Sequence, residues 1–96
     1  MIVEWDPHKN HANRAKHGVS FEDGREVFVA DNEYLEIFDQ EHSGDEDRFI
    51  AIGPTAKGIL VVVWTERDAG VTRLISVRKA TPQERRLFHS YMEGRQ

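Results

Sequence analysis

The sequence predicts an α+β domain in which helices pack on an antiparallel sheet. Three observations support this fold class. Four strand-length apolar segments follow one another from residue 34 onward, helix-start signals stand on either side of them, and the length of 96 residues suits one compact domain over residues 1–96. The predicted order of elements is β-α-α-β-β-β-β-α.

A short strand and a helix open the chain. Residues 2–5 form a β-like run, and Asp6-Pro7 is a helix start. The Asp6 carboxylate can cap free backbone N–H groups, and the proline suits the first helical turn because its missing N–H would have no partner there. Gly18 suits the left-handed residue just past the end of this helix.

Two further helices are marked by capping pairs. Ser20 with Asp23 opens the second helix, and Thr81 with Glu84 forms a capping box that opens the last one, which is released near Gly94. The predicted helices cover about residues 7–17, 21–28 and 82–93.

The strand segments are rich in β-branched and aromatic residues, and polar turn-forming connections separate them. Four such strands in succession predict an antiparallel meander. The strand that begins at Ile59 is apolar on both faces and is therefore expected at the centre of the sheet. The segments are Tyr34–Phe38, Arg48–Ile52, Ile59–Trp64 and Val71–Val77.

Composition excludes several classes of protein. The chain has no cysteine, which excludes disulfides, thiolate zinc sites and cysteine nucleophiles. The longest apolar run, Ile59–Trp64, is far shorter than the roughly 20 residues of a membrane span. Glu4 and Asp6 stand where a signal sequence would be basic and then apolar. These features predict a soluble, cytoplasmic protein that does not engage a membrane.

Charge is distributed unevenly along the chain. The formal net charge is −4, but residues 1–32, 33–56 and 57–96 carry −2, −6 and +4. A basic region on an acidic protein can hold a polyanion locally, although the acidic middle weakens long-range attraction of nucleic acid. An ordinary mixed surface is the alternative interpretation.

The last strand carries a candidate phosphate site. Strict alternation predicts one core face with Arg73, Ile75, Val77 and Lys79, and one open face with Thr72, Leu74, Ser76 and Arg78. On that open face Arg78 could offer its planar fork to a phosphate, with Ser76 beside it. A surface salt bridge is the alternative for Arg78.

Other candidates lie at element ends. Glu66 and Arg67 stand where the central strand runs out, and they form either part of a groove or a turn-flanking ion pair. His42, in a polar loop, and His17, at the end of the first helix, could transfer protons, because histidine changes protonation near neutral pH. An exposed loop residue and a helix cap are the alternatives. Arg85 belongs to either a phosphate-facing row or a solvated helix face.

No phosphate-binding glycine loop, nucleophile elbow, zinc motif or dinucleotide fingerprint occurs in the sequence. The residues are compatible with RNA cleavage without a metal, in which the substrate 2′-OH is the nucleophile and the protein supplies positioning, proton transfer and positive charge. A small metal-dependent nuclease using Asp45, Glu46 or Asp47 is a further possibility.

The order and spacing of motifs resemble the BrnT toxin family from Val3 to about Tyr91. The motifs are Trp5-Asp-Pro with Lys9, Asn13, Lys16-His-Gly-Val-Ser-Phe21, Val27-Phe28, His42-Ser43, Glu46, Arg48, Trp64-Thr-Glu-Arg67, and Ile75-Ser-Val-Arg-Lys-Ala-Thr81 with Glu84-Arg-Arg86. The resemblance implies a RelE-like fold and a toxin of a type II toxin-antitoxin module that inhibits translation by cleaving RNA, without a cofactor. It also implies a BrnA-like antitoxin with a ribbon-helix-helix DNA-binding domain, which neutralises the toxin. Heterotetramers of two toxins and two antitoxins would repress their operon, with DNA contacted only through the antitoxin.

Residue roles follow as a hypothesis from this resemblance. The catalytic candidates are Arg78 and Arg67 on the scissile phosphate, His17 or His42 for proton transfer, and Glu66 as base or as the partner that orients an arginine. The RNA-binding candidates are Arg48, Arg85 and Ser76, and no metal ligand is expected. The alternative function is a weakly active or non-catalytic module that acts as a co-repressor, its acidic middle contacting a basic antitoxin segment.

Overall fold

The computed structural model describes residues 1–29 and 33–94, and its elements follow the predicted order. The strands are β1 (Ile2–Glu4), β2 (Leu35–Phe38), β3 (Arg48–Thr55), β4 (Gly58–Arg67) and β5 (Val71–Lys79). The helices are α1 (Pro7–His17), α2 (Phe21–Val29) and α3 (Pro82–Glu93). A 3₁₀ turn, Gln40–His42, follows β2. Within the described ranges, no helix has the length and apolar character needed to cross a membrane.

The five strands form one mixed sheet in the order β1-β5-β4-β3-β2. Strands β2 to β5 make the predicted antiparallel meander, and β4 is central as expected. The sheet is not wholly antiparallel, because β1 runs parallel to β5. In the sequence, helices α1 and α2 both come between β1 and the meander. No tight turn therefore requires β1 to be antiparallel to its neighbour.

The helix ends form as the capping signals predict. Asp6 Oδ1 accepts a hydrogen bond from the His8 backbone N–H at 2.8 Å, and this bond lowers the pKa of Asp6. Gly18 ends α1 with a φ of 74°, a conformation that favours glycine. Ser20 Oγ accepts from Asp23 N at 3.0 Å, and the Asp23 carboxylate accepts from Ser20 N at 2.9 Å.

Two apolar clusters lie on opposite faces of the sheet, here called the α2 face and the α3 face. On the α2 face the buried residues are Val19, Phe21, Val27, Ala51, Leu60, Val62, Leu74 and Val77. On the α3 face they are Ile52, Val61, Ala80 and Phe88. Because α3 spans 12 residues and packs over one end of the sheet, the ends of β4 and β5 near Arg67 and Val71 extend beyond this second cluster.

Helix α1 is fixed to β5 by one buried side chain. Asn13 is 7% exposed; its Nδ2 donates to Val77 O at 2.7 Å and to Val19 O at 3.0 Å, and its Oδ1 accepts from Val77 N at 3.0 Å. Strand β1 pairs with β5 only as far as Arg73. Asn13 therefore satisfies the Val77 backbone where the neighbouring strand has ended.

A bulge interrupts the alternation of β5. Val63 pairs with Ser76, but the next residue of β4, Trp64, pairs with Leu74. Ile75 is the extra residue. A bulge of this kind places two residues opposite one and changes the face to which the following side chains belong.

The bulge corrects the predicted faces of β5. Leu74 and Thr72 are buried on the same side as Val77, so the prediction that they lie on the open face is wrong. Arg73 pairs with Thr65 and Arg78 pairs with Val61, four residues apart on the regular strand β4. Because alternate strand residues share a face, Arg73 lies on the α3 face with Arg78 rather than on the core side.

Candidate functional site

Four arginines share the α3 face of the sheet. Arg48 and Arg73 both pair with Thr65 on β4, one from each side, and Arg67 follows Thr65 by two residues on the same strand. With Arg78 they form a surface of permanent positive charge, here called the arginine face. Guanidinium groups match phosphate oxygens in geometry and charge, so this face can bind a nucleic-acid backbone.

Arg78 is held in one orientation by Glu84 of α3. Arg78 Nη1 and Nη2 donate to the two carboxylate oxygens of Glu84 at 2.7 and 2.8 Å, and Nη1 also lies 3.3 Å from Lys79 O. The side chains are 38% and 24% exposed. The hydrogen bonds from Arg78 lower the pKa of Glu84 to about 2, and the same pair raises the pKa of Arg78.

Glu84 has two tasks, of which the sequence indicated one. As predicted, it completes the capping box: its Oε1 accepts from Thr81 N at 2.9 Å, and Thr81 Oγ1 accepts from Glu84 N at 3.1 Å. The carboxylate also orients Arg78. Glu66, predicted as base or as the partner of an arginine, is exposed at the end of β4 and pairs with Thr72, on the face opposite Arg67. The sequence could have indicated the contact of Glu84 with Arg78, because a carboxylate that caps a helix can still accept further hydrogen bonds.

The other arginines differ in what they contact. Arg73 donates from Nη1 to Glu4 Oε2 on β1, its parallel neighbour in register. In the part of the chain that the structure describes, Arg67 is exposed and makes no ion pair or side-chain hydrogen bond. Arg85, on the first turn of α3, donates from Nη1 to Ala80 O at 3.0 Å.

A groove of about 220 Å³ runs between α1 and β5, here called the α1–β5 groove. It brings together two predicted residues, His17 and Ser76, with two lysines that were not predicted as site residues, Lys9 and Lys16. Helix α1 carries three basic side chains and no acidic one. The full lining is Lys9, Ala12, Asn13, Lys16, His17, Ile75 and Ser76, which contains no carboxylate.

A second depression, of about 430 Å³, lies in the loop before β3 and is here called the loop depression. Its lining consists of His42, Gly44, Asp45, Glu46 and Arg48. It thus brings His42 and Arg48 together. His42 Nδ1 lies 3.0 Å from Asp39 Oδ2, and Arg48 Nε lies 3.9 Å from Glu46 Oε1.

Two features of the loop depression bear on ligand binding. The Nε atom of Arg48 is shielded from solvent and has no hydrogen-bond partner among the described residues, so an incoming anion would meet only the outer guanidinium nitrogens. Asp45, Glu46 and Asp47, the candidate metal ligands, are exposed. Over residues 1–29 and 33–94, no three His, Cys, Asp or Glu side chains are grouped closely enough to hold a metal ion.

Comparisons with known proteins agree with the fold and with the motif order. Residues 5–84 match the family model described as ribonuclease toxin, BrnT, of type II toxin-antitoxin system. The chain is similar to the 1.1 Å crystal structure of the Brucella abortus ribonuclease toxin BrnT, with 27% identity and a TM-score of 0.62. That alignment covers 84% of this chain and 97% of the Brucella chain. A search of curated protein sequences gave no significant match.

The family model covers most of the chain, from Trp5 on the way into α1 to Glu84 beside Arg78. It therefore includes the α1–β5 groove, the loop depression and the arginine face. The expected resemblance is confirmed, and an antitoxin partner is implied by the type of module. The chain belongs to the BrnT family of ribonuclease toxins of type II toxin-antitoxin systems.

Proposed function

We propose that this chain, as one toxin domain over residues 1–96, cleaves RNA without a metal ion and thereby blocks translation. The observation that carries the proposal is the arginine face, which sets four guanidinium groups on one side of the sheet in a fold whose family consists of ribonuclease toxins. Such a surface suits a substrate that is a polyanion and a reaction in which negative charge develops on a phosphate.

The proposed reaction uses the substrate's own nucleophile. The 2′-OH attacks the adjacent phosphorus, the bond from phosphorus to the 5′-oxygen breaks, and the products are a 2′,3′-cyclic phosphate and a 5′-hydroxyl. A base accepts the 2′-OH proton and an acid gives a proton to the departing 5′-oxygen. Because water is not the nucleophile in this step, the protein has only to align the phosphate, transfer protons and stabilise charge.

Arg78 is the proposed main contact to the scissile phosphate. Arg67 pairs with Val71 and lies six residues along β4 from Val61, the partner of Arg78, which is about 20 Å. The two arginines are too far apart to contact one phosphate, so Arg67 is proposed to contact the RNA backbone farther along. Three of the five N–H groups of a guanidinium are engaged by Glu84 and Lys79 O, and the others remain for substrate. Glu84 fixes the plane of the guanidinium before substrate arrives, which reduces the ordering needed on binding. Arg48 and Arg85 are proposed to hold the RNA backbone at the margins.

His17 is the better-placed of the two candidate proton carriers. It lines the α1–β5 groove with Ser76 and two lysines, whereas His42 is engaged by Asp39. We assign the base, which accepts the 2′-OH proton, to His17. One imidazole cannot reach both oxygens of an in-line displacement, so the departing 5′-oxygen takes its proton from water. Glu66 lies on the opposite face of β4 from Arg67, and we leave it outside the proposed site.

The antitoxin is proposed to be BrnA-like, with a ribbon-helix-helix domain that carries the DNA contacts. Two toxins and two antitoxins would form the complex that represses the operon. The charge of −6 over residues 33–56 supports binding of a basic antitoxin segment.

A second candidate function is a non-catalytic co-repressor module. The observation that favours it is the pairing of three arginines of the face with carboxylates: Arg48 with Glu46, Arg73 with Glu4 and Arg78 with Glu84. Paired charges hold less attraction for a phosphate than free ones.

Incorporation of labelled amino acids in bacteria, after induction of this chain without its antitoxin, tests between the two functions. We expect a rapid stop with the parent chain and none with Arg78→Ala. Arg86→Ala, which removes an exposed charge from α3, serves as the matched control and should behave like the parent. Unchanged incorporation with folded parent protein would contradict the proposal and favour the co-repressor.

A further inference from the structure

We infer that the α1–β5 groove is a binding site for the backbone of single-stranded RNA, in which Lys9 and Lys16 contact different phosphates. The inference rests on the proposed function for the identity of the ligand, and it adds residues to which no role has so far been given. The chemical class of the ligand is a phosphodiester chain.

The lining of the α1–β5 groove is positively charged. The groove has two lysines and a histidine in its lining and no carboxylate, on a protein whose net charge is −4. Two acidic residues lie next to α1 without lining the groove. Glu22 accepts from Asn10 Nδ2 at 2.7 Å, and Asp6 accepts from the His8 backbone and also acts electrostatically on Lys9. Among the described residues neither lysine makes an ion pair, so the lining stays net positive for an anion from solution.

The spacing of the groove residues along α1 suits a chain of phosphates. The five residues that α1 contributes recur at intervals of three and four, so they form one stripe along the helix. Lys9 and Lys16 stand seven residues apart, about 10 Å along the helix axis at 1.5 Å per residue. Two lysines this far apart can contact neighbouring phosphates of one strand, which a single small anion does not offer.

Helix α1 is anchored rigidly where it lines the groove. Asn13, in the middle of the stripe, is hydrogen-bonded to the Val77 and Val19 backbone. Asn10 Oδ1 accepts from Phe21 N at 2.8 Å and ties the same helix to α2. The lysines consequently rise from a fixed support, and little ordering of the backbone is needed on binding.

The α1–β5 groove is continuous with the arginine face. Ser76 lines the groove and lies on β5 between Arg73 and Arg78, both of which belong to that face. A strand bound along α1 therefore reaches the arginine face by crossing Ser76. The ligand is single-stranded because attack by a 2′-OH in line with the leaving oxygen requires a nucleotide freed from regular duplex geometry.

Salt dependence of RNA binding provides the test. The probe is a fluorescent single-stranded oligoribonucleotide with 2′-O-methyl groups, which cannot be cleaved through the 2′-OH. Anisotropy titrations over a range of salt concentrations compare the parent with Lys9→Gln, Lys16→Gln and Lys57→Gln. Each variant loses one charge, and Lys57 is an exposed residue of the turn between β3 and β4.

Each lysine–phosphate contact contributes about 0.7 to the slope of log affinity against log salt for a single strand. We expect Lys9→Gln and Lys16→Gln each to lower the magnitude of the slope by about 0.7, and Lys57→Gln to leave it at the parent value. Equal slopes for all three variants, or no binding by the parent, would overturn the inference.

Cleavage of an unmodified RNA, followed in parallel, separates this inference from the proposed function. Binding through the two lysines without any cleavage would support the groove as an RNA-binding site and contradict the ribonuclease proposal. Cleavage by the parent, with Lys9→Gln and Lys16→Gln binding RNA like Lys57→Gln, would support the ribonuclease proposal and contradict the groove.

Discussion

The α1–β5 groove and the loop depression contain similar residue types and differ in the charge left for a ligand. Each has a candidate catalytic histidine beside a cationic side chain. In the loop depression His42 forms an ion pair with Asp39 and Arg48 with Glu46. The lining of the groove has no carboxylate, and Asp6, which lies outside it, acts on Lys9 without forming an ion pair. At these two depressions the neighbouring carboxylates, rather than the presence of a histidine and a cation, decide how much positive charge is left for an anion.

The difference follows from what each segment does for the fold. Residues 39–47 include five acidic side chains, and several polar groups there build the turn itself. Ser43 Oγ donates to Asp39 O at 2.6 Å and accepts from Arg48 N at 2.8 Å, which closes the loop around the 3₁₀ turn. The polar side chains by which α1 contacts the rest of the fold are the neutral amides of Asn10 and Asn13, and among the described residues its two lysines make no ion pair.

The largest expected effect tests the comparison itself. His17→Ala should lower kcat/KM for RNA cleavage by about 10² to 10⁴, the scale of a lost acid–base group. His42→Ala should lower it by less than about fivefold, the scale of a surface ion pair. Single-turnover cleavage of a short RNA measures both. His17→Gln, which keeps hydrogen-bonding capacity at the helix end, controls for local structure, and the reverse ranking of the two histidines would contradict the account.

The next effect concerns the support of the groove. Asn13→Ala leaves the Val77 N–H and two carbonyl oxygens without their partner, so we expect a loss of about 2 to 4 kcal/mol in the free energy of unfolding. Urea denaturation with an unchanged m-value measures this loss. His11→Ala, an exposed change on the same helix, should be nearly neutral. Parent-like stability of Asn13→Ala would show that this contact does not fix α1.

A smaller effect distinguishes the tight pair at Arg78 from the loose pair at Arg48. Glu84 has a pKa of about 2, below its ordinary 4.5, because Arg78 donates to its charged form. The stability from this pair is complete above pH 4.5 and is lost as the pH falls toward 2. Glu84→Gln preserves the capping box and should lower stability at pH 7 by about 1 to 2 kcal/mol after allowance for solvent screening.

Denaturation curves of the parent and of Glu84→Gln at several pH values check this sign. The difference in stability should narrow between pH 4.5 and pH 3. A difference that is constant with pH would mean that the carboxylate charge contributes nothing through Arg78.

The smallest expected effect concerns the loop depression. Glu46→Gln removes the carboxylate nearest Arg48, so the loop depression becomes more favourable to phosphate. We expect RNA binding to strengthen by about two- to fivefold, in keeping with the small energy of an exposed pair. Anisotropy with the 2′-O-methyl RNA measures the change, and weaker binding would show that Glu46 supports rather than opposes the ligand.

Local signals made the helices predictable, while long-range pairing limited the prediction of the sheet. Asp6 and Gly18 act within a few residues of the helix that they bound, so the sequence contains the whole cause. The predicted strand Arg48–Ile52 is too short, because β3 continues to Thr55 and includes Pro54, which pairs with Ile59 near the strand end. The bulge at Ile75 has no local signature, since it depends on how β4 pairs with β5, and it moved Arg73 to the other face.

The sequence indicated candidate residues for the site but not their arrangement. Positions on strands and at helix ends pointed to Arg78, Arg67 and His17, but the partner of Arg78 depends on how α3 folds back after β5. The groove depends on the contact of Asn13 with Val77, which joins residues 64 positions apart. Contacts of that kind are decided by packing, and neither periodicity nor spacing along the chain encodes them.

The chemistry of the RNA ends distinguishes metal-independent cleavage through the 2′-OH from metal-dependent hydrolysis. The purified chain is incubated with single-stranded RNA in the presence of a strong metal chelator, and the new termini are identified by mass spectrometry. We expect cleavage in chelator, with 2′,3′-cyclic phosphate and 5′-hydroxyl ends, and no cleavage where the 2′-OH is methylated. Cleavage that stops in chelator, or that leaves 5′-phosphate ends, would contradict this expectation.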